Sequence, residues 1–232
     1  MRVNKPWKRQ RQSEYLPLSR SHYIYCEGTK TEPSYFKNFA SCINSNPIYK
    51  NMTIEVIGCA KGTKRVLEQA LADIKERNIH SADIWCVYDK DDFPKDDFDN
   101  VSLRINTLNT QEQYLSRDIR FHSAWSNECI EFWFLLHFEY MTSNILRSDY
   151  VSKLSSHFKE ALKAKYQKND QDIFNHLIEA NGSPELAIRY AKKILNENKG
   201  QSPSKIAPGT AVHELVEQLA HYLPKEMKGH FF

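Results

Sequence analysis

The sequence predicts an α/β fold, a mostly parallel sheet flanked by helices, with a helical C-terminal third. Three observations lead there. Short runs rich in β-branched and aromatic residues at about 22–26, 53–57 and 83–88 read as strands. Segments with apolar residues at helical spacing separate them, and strands alternating with helices call for a parallel sheet covered on both faces. Beyond residue 140 the strand signals stop while helical periodicity continues.

Taken in order, the first strand, 22–26, is followed by Thr31 and Pro33, which suit a first helical turn. Tyr35, Phe36 and Phe39 then keep helical spacing to about Ile43. Residues 53–57 form the second strand, ended by Gly58. From Thr63, the positions Val66, Leu67, Ala70, Leu71 and Ile74 make an amphipathic helix that stops before His80. The third strand is 83–88, a helix spans 97–115, and a fourth strand occupies 119–123. Residues 127–140 carry Ile130, Phe132, Trp133, Phe134, Leu135, Leu136 and Phe138, the pattern of a helix apolar around most of its girth and buried centrally. A further helix covers 150–166, with lysines at 153, 159, 163 and 165 around its apolar stripe. Ser183 reads as an N-cap with Pro184 at the first helical position, opening a helix through Ile194 that Gly200 closes. Residues 200–204 read as a mobile loop. Thr210 opens a last helix ending before Pro224. The division expected is a basic arm over 1–20, an α/β domain over 21–140, and a helical extension or cap over 141–232.

The 232 residues are 41% hydrophobic, enough for a packed core, and the net charge of +3 is too slight to prove a polyanion partner. Its distribution says more. Arg2, Lys5, Lys8, Arg9, Arg11 and Arg20 stand against Glu14 alone in the first twenty residues, a basic arm able to follow a phosphate backbone or simply to solubilise the terminus. No apolar stretch approaches the ~20 residues that span a bilayer, and no secretion signal is visible, so a cytoplasmic protein without membrane contact is expected. Five cysteines with no close spacing read as reduced, buried thiols.

The candidate chemistry lies where strands end. Glu27 follows the first strand, and Asp89, Lys90, Asp91 and Asp92 follow the third. Open α/β sheets keep their ligands at strand C-termini, and clustered carboxylates there repel unless a hard cation or a shared proton intervenes. Asp89 and Asp91 are therefore candidate Mg²⁺ ligands, with Glu27 a third ligand or a general acid/base; a solvated Asp-rich turn is the plain alternative. Lys30 is a candidate to steady the acid or contact a phosphate, and Asp92 a further acid in the group. Asn127 and Glu131, four apart on the expected helix, share a face and are candidate supports for the ligands. His122, His137 and His213 have no spacing that pairs them for acid/base work. No Gly-rich loop followed by Lys-Ser or Lys-Thr is present, which excludes ATP hydrolysis by the P-loop route.

Four segments carry a resemblance: the run from Ile24 through Glu27, Gly28, Glu32 and Pro33 to Phe36; Val87 to Asp92; Ser126 to His137; and Pro208 to Leu215. In this order they resemble the RloB family (RloB-like or AbiLii-like abortive-infection proteins), bacterial proteins often encoded with restriction and abortive-infection genes. That family resembles in turn the Toprim fold of topoisomerases, primases and OLD-type nucleases, and Glu128 stands where the family often has proline. The resemblance implies a Toprim-like domain in which Glu27, Asp89 and Asp91 hold Mg²⁺, with Mn²⁺ as substitute, for phosphodiester cleavage of RNA, tRNA included, or of DNA. It implies a role in antiphage defence with a neighbouring-gene ATPase of the RloA/AbiLi or OLD-like type. The competing expectation is a non-catalytic regulatory subunit that binds nucleic acid or the ATPase; self-association is left open.

Overall fold

The structure, a computed structural model, describes residues 20–49, 52–59, 62–90 and 95–231. The basic arm before Arg20 and the acids Asp91 and Asp92 lie outside the described residues.

Five strands form one sheet in the order β2-β1-β3-β4-β5. β1 (Ser21–Cys26), β2 (Ile54–Gly58), β3 (Ala82–Asp89) and β4 (Ile119–Asn127) are parallel. β5 (Gly209–Thr210) pairs antiparallel with the end of β4, Ser126 facing Thr210 and Asn127 facing Gly209. The chain leaves β1 through α1 (Thr31–Asn44) to reach β2, then returns through α2 (Thr63–Glu76) to β3 on the other side of β1. The boundary between β1 and β3 is therefore the point where the winding reverses and a crevice opens beyond the strand C-termini. All eight residues of β3 are buried, as expected of a central strand covered on both faces. The α/β class read from the sequence is the class observed.

Several elements differ from the expectation, each for a visible reason. β4 runs four residues further than 119–123, because β3 pairs Ala124, Trp125 and Ser126, and β5 pairs Ser126 and Asn127 from the other side. The apolar helix expected over 127–140 is only α5 (Ile130–Leu135), so Asn127 and Glu131 belong to different elements and share no helix face. The single helix expected over 97–115 divides into α3 (Lys95–Leu108) and α4 (Glu112–Leu115). α6 (Arg147–Leu162) ends at Lys163, whose left-handed backbone (φ 59°) breaks it before Tyr166. α7 (Ile173–Glu179) and β5 had no clear sequence signal. α8 (Pro184–Glu197) opens as read, with the Ser183 hydroxyl accepting from the Leu186 N–H. The 200–204 loop is pinned rather than loose: the Asp99 carboxylate accepts from the Ser204 N–H at 2.8 Å and the Ser204 hydroxyl at 2.6 Å. α9 (Val212–Ala220) and α10 (Lys225–Lys228) close the chain.

At the N-terminal pole of the sheet one buried carboxylate gathers three elements and the residue that precedes β1. Asp83 of β3, 1% exposed, accepts from Arg20 Nε at 3.0 Å, Gln218 Nε2 of α9 at 3.0 Å and His122 Nε2 of β4 at 2.9 Å. Burial opposes its ionisation, but His122 and Arg20 outweigh that and hold its carboxyl below the ordinary range. Among the described residues no helix is long and apolar enough to cross a membrane.

Candidate active site

The opposite, C-terminal pole collects the acids. β1 and β3 pair in register, Cys26 beside Val87, so the residues that follow them emerge side by side. Glu27 Oε2 accepts from the Asp89 backbone N–H at 3.2 Å. Asp89, buried at 4% exposure, accepts at Oδ2 from the Ile130 N–H at 3.1 Å, at the start of α5. The two acids separated by 62 positions in sequence thus meet across one backbone bond, and α5 is aimed at them by the chain turn after β4.

Glu131, in the first turn of α5 and 1% exposed, brings a further carboxylate. Its Oε1 accepts from the Tyr166 hydroxyl at 3.4 Å and lies 3.5 Å from Lys168 Nζ. Its Oε2 is buried without a nitrogen or hydroxyl donor among the described residues, and the Cys129 thiol hydrogen-bonds to this carboxylate. Burial, with the charges of Glu131 and Asp89 adding, pushes the Cys129 thiol far up; burial and Glu131 do the same to the Tyr166 phenol. Both groups stay neutral and available as donors.

Three participants went unread in the sequence. Glu32, buried in the first turn of α1, sets its carboxylate against Gly28, where an added Cβ would stand 2.4 Å from Glu32 Oε2. It also adds to the burial that pushes the Cys26 thiol up. Its place five residues after Glu27 was the available signal. Arg147 Nη2, from the start of α6, lies 3.7 Å from Asp89 Oδ2, and Lys168 approaches Glu131 from the turn before α7. Neither has a sequence signal, because their approach depends on how the C-terminal third packs.

Other candidates are placed elsewhere. The buried Asn127 amide donates to the carbonyls of Pro203 and Ser204 at 3.2 and 3.3 Å, fastening the end of β4 to the turn there. Lys30 is exposed at the start of α1 and lines a neighbouring cleft. His122 belongs to the Asp83 cluster, while His137 donates from Nδ1 to the Trp133 carbonyl at 3.1 Å inside the core.

Glu27 and Asp89 are hard oxygen donors meeting at one strand junction, the donor type that Mg²⁺ or Mn²⁺ takes. Among the described residues no three acidic, histidine or cysteine side chains converge to hold a metal; Asp91, the third ligand expected from sequence, is outside them. Arg147 and Lys168 each set a positive charge against one of the buried carboxylates, Asp89 and Glu131.

No curated protein and no solved structure matches this chain. A family model described as RloB-like protein matches residues 22–219, from the first strand through the last long helix and across both poles of the sheet. With that match over most of its length, the chain belongs to the RloB-like family.

Proposed function

We propose that this RloB-like protein is a divalent-metal-dependent nuclease of bacterial antiphage defence, cutting phosphodiesters in RNA, tRNA included, or DNA, and working with a partner ATPase of the RloA/AbiLi or OLD-like type. The observation that supports it above others is the meeting of Glu27 and Asp89 where β1 and β3 end, with the N–H of Ile130 at the start of α5 donating to Asp89. Bound there, Mg²⁺ would neutralise charge on the reacting phosphate and acidify a water. Glu27, Asp89 and Asp91 are the proposed ligands. Arg147 and Lys168 bind phosphate oxygens, and Glu131 orients Lys168.

The experiment is a matrix of total tRNA, single-stranded DNA and plasmid incubated with the purified protein in Mg²⁺, Mn²⁺ or EDTA, with and without the neighbouring gene product. Cleavage abolished by EDTA and by Asp89→Asn is expected. Undiminished cutting by Asp89→Asn overturns the assignment. The alternative, a non-catalytic binding subunit, draws on the Arg147 contact that already offsets the charge of Asp89. Calorimetric metal titration separates the two readings, since heat that vanishes in the Asp89→Asn/Asp91→Asn double variant favours the nuclease.

A further inference from the structure

Beside the acids runs a cleft of about 400 Å³ lined by Thr29, Lys30, Ser34, Lys37, Asn169 and Gln171. None of the six is acidic, and every side chain among them can donate a hydrogen bond. Lys30, Ser34 and Lys37 recur at helical spacing along one side of α1, and the Thr31 hydroxyl donates to the Lys168 carbonyl, fastening the opposite wall to the helix. The volume suits a nucleotide unit rather than a lone ion. Its position is contiguous with the acids at both walls: Lys30 follows Glu27 by three residues, and Asn169 adjoins Lys168, which faces Glu131.

We propose that this cleft seats a non-scissile backbone phosphate of a polynucleotide, so that the strand passes over the start of α1 before reaching Glu27 and Asp89. The assignment rests on the nuclease reading and adds the strand's path to it. Two lysines with small polar neighbours and no acid suit a phosphate oxyanion, and a phosphate contact positions the strand without selecting its sequence.

The test measures binding of a labelled single-stranded RNA to the full chain in EDTA, where no cleavage occurs, across a range of salt. Lys30→Ala/Lys37→Ala, at two exposed positions, should weaken binding about tenfold at low salt. The slope of log K against log salt should become shallower by about 0.7, the share of one phosphate contact on a single strand. Lys30→Arg/Lys37→Arg should restore both. Unchanged affinity and slope in the alanine variant overturn the cleft while leaving the nuclease reading intact. Lysine-dependent RNA binding by a protein that cuts nothing in Mg²⁺ sinks the nuclease and keeps the cleft. Lysine-dependent calorimetric binding of inorganic phosphate without RNA binding would make it a free-phosphate site and overturn the proposal, as would failure of the wild-type chain to bind any polynucleotide.

Discussion

At the scale of single residues, the acids divide by how they were positioned. Glu27 and Asp89 were legible because each follows an apolar run, and the end of a run is a place in a sheet. Glu32 was hidden by its role as an ordinary first-turn acid, and Arg147 and Lys168 by tertiary packing that no local pattern encodes. Glu131→Gln removes a buried charge whose second oxygen has no nitrogen or hydroxyl donor among the described residues, so thermal stability is expected to stay level or rise slightly. RNA affinity measured in EDTA should fall at the same time, because Lys168 loses the charge that holds it; a large drop in Tm with unchanged RNA affinity would show the carboxylate to be purely structural. Gly28→Ala would thrust a methyl group into the Glu32 carboxylate. Since that is the end of a flexible side chain, folding should survive, and on the nuclease reading proposed above the loss falls on cleavage rate, read by comparing turnover with the melting curve.

Elements show a second pattern. β1, β2, β3, α1 and α2 were legible because one hydrophobic period governs each. β5, two residues long, carries no period; it pairs Asn127 beyond the reach of β3, and the apolar run that follows is helical only over Ile130–Leu135. The close of β2 has its own steric demand. A Cβ at Gly58 would lie 2.9 Å from both the Gly28 carbonyl oxygen and the Thr29 Cα, backbone atoms that cannot swing aside. Gly58→Ala should cost about 1–3 kcal/mol in urea unfolding and disturb the turn that carries Glu27. Asp99→Ala deletes two bonds to Ser204 and should destabilise by roughly 1–3 kcal/mol. Its sharper readout is faster proteolysis within 200–205, where the sequence had suggested mobility and the carboxylate supplies order.

For the whole molecule, pH is the informative variable. Burial pulls His22, His137 and His213 each down to about 4, from an ordinary value near 6.5. Between those values the unfolded chain binds protons that the native chain refuses, so stability rises with pH through this window. It is complete above about 6.5 and is lost as pH falls toward 4. Melting temperatures recorded from pH 7 to 4 should decline, and His137→Gln should flatten part of the decline; a flat profile in the wild type would contradict the buried neutral state. None of this was legible in the sequence, where a histidine on an apolar stripe and one in solvent look alike.

The Asp83 cluster carries a consequence for how the protein comes apart. By holding Arg20, β4 and α9 on one carboxylate, it ties the beginning of the described chain to its closing helices at the pole remote from the acids. Loosening Arg20 or α9 therefore leaves the buried carboxylate short of a partner. A calorimetric scan should therefore give one endotherm for the entire protein, and Asp83→Asn, by untying the knot, should split it into two.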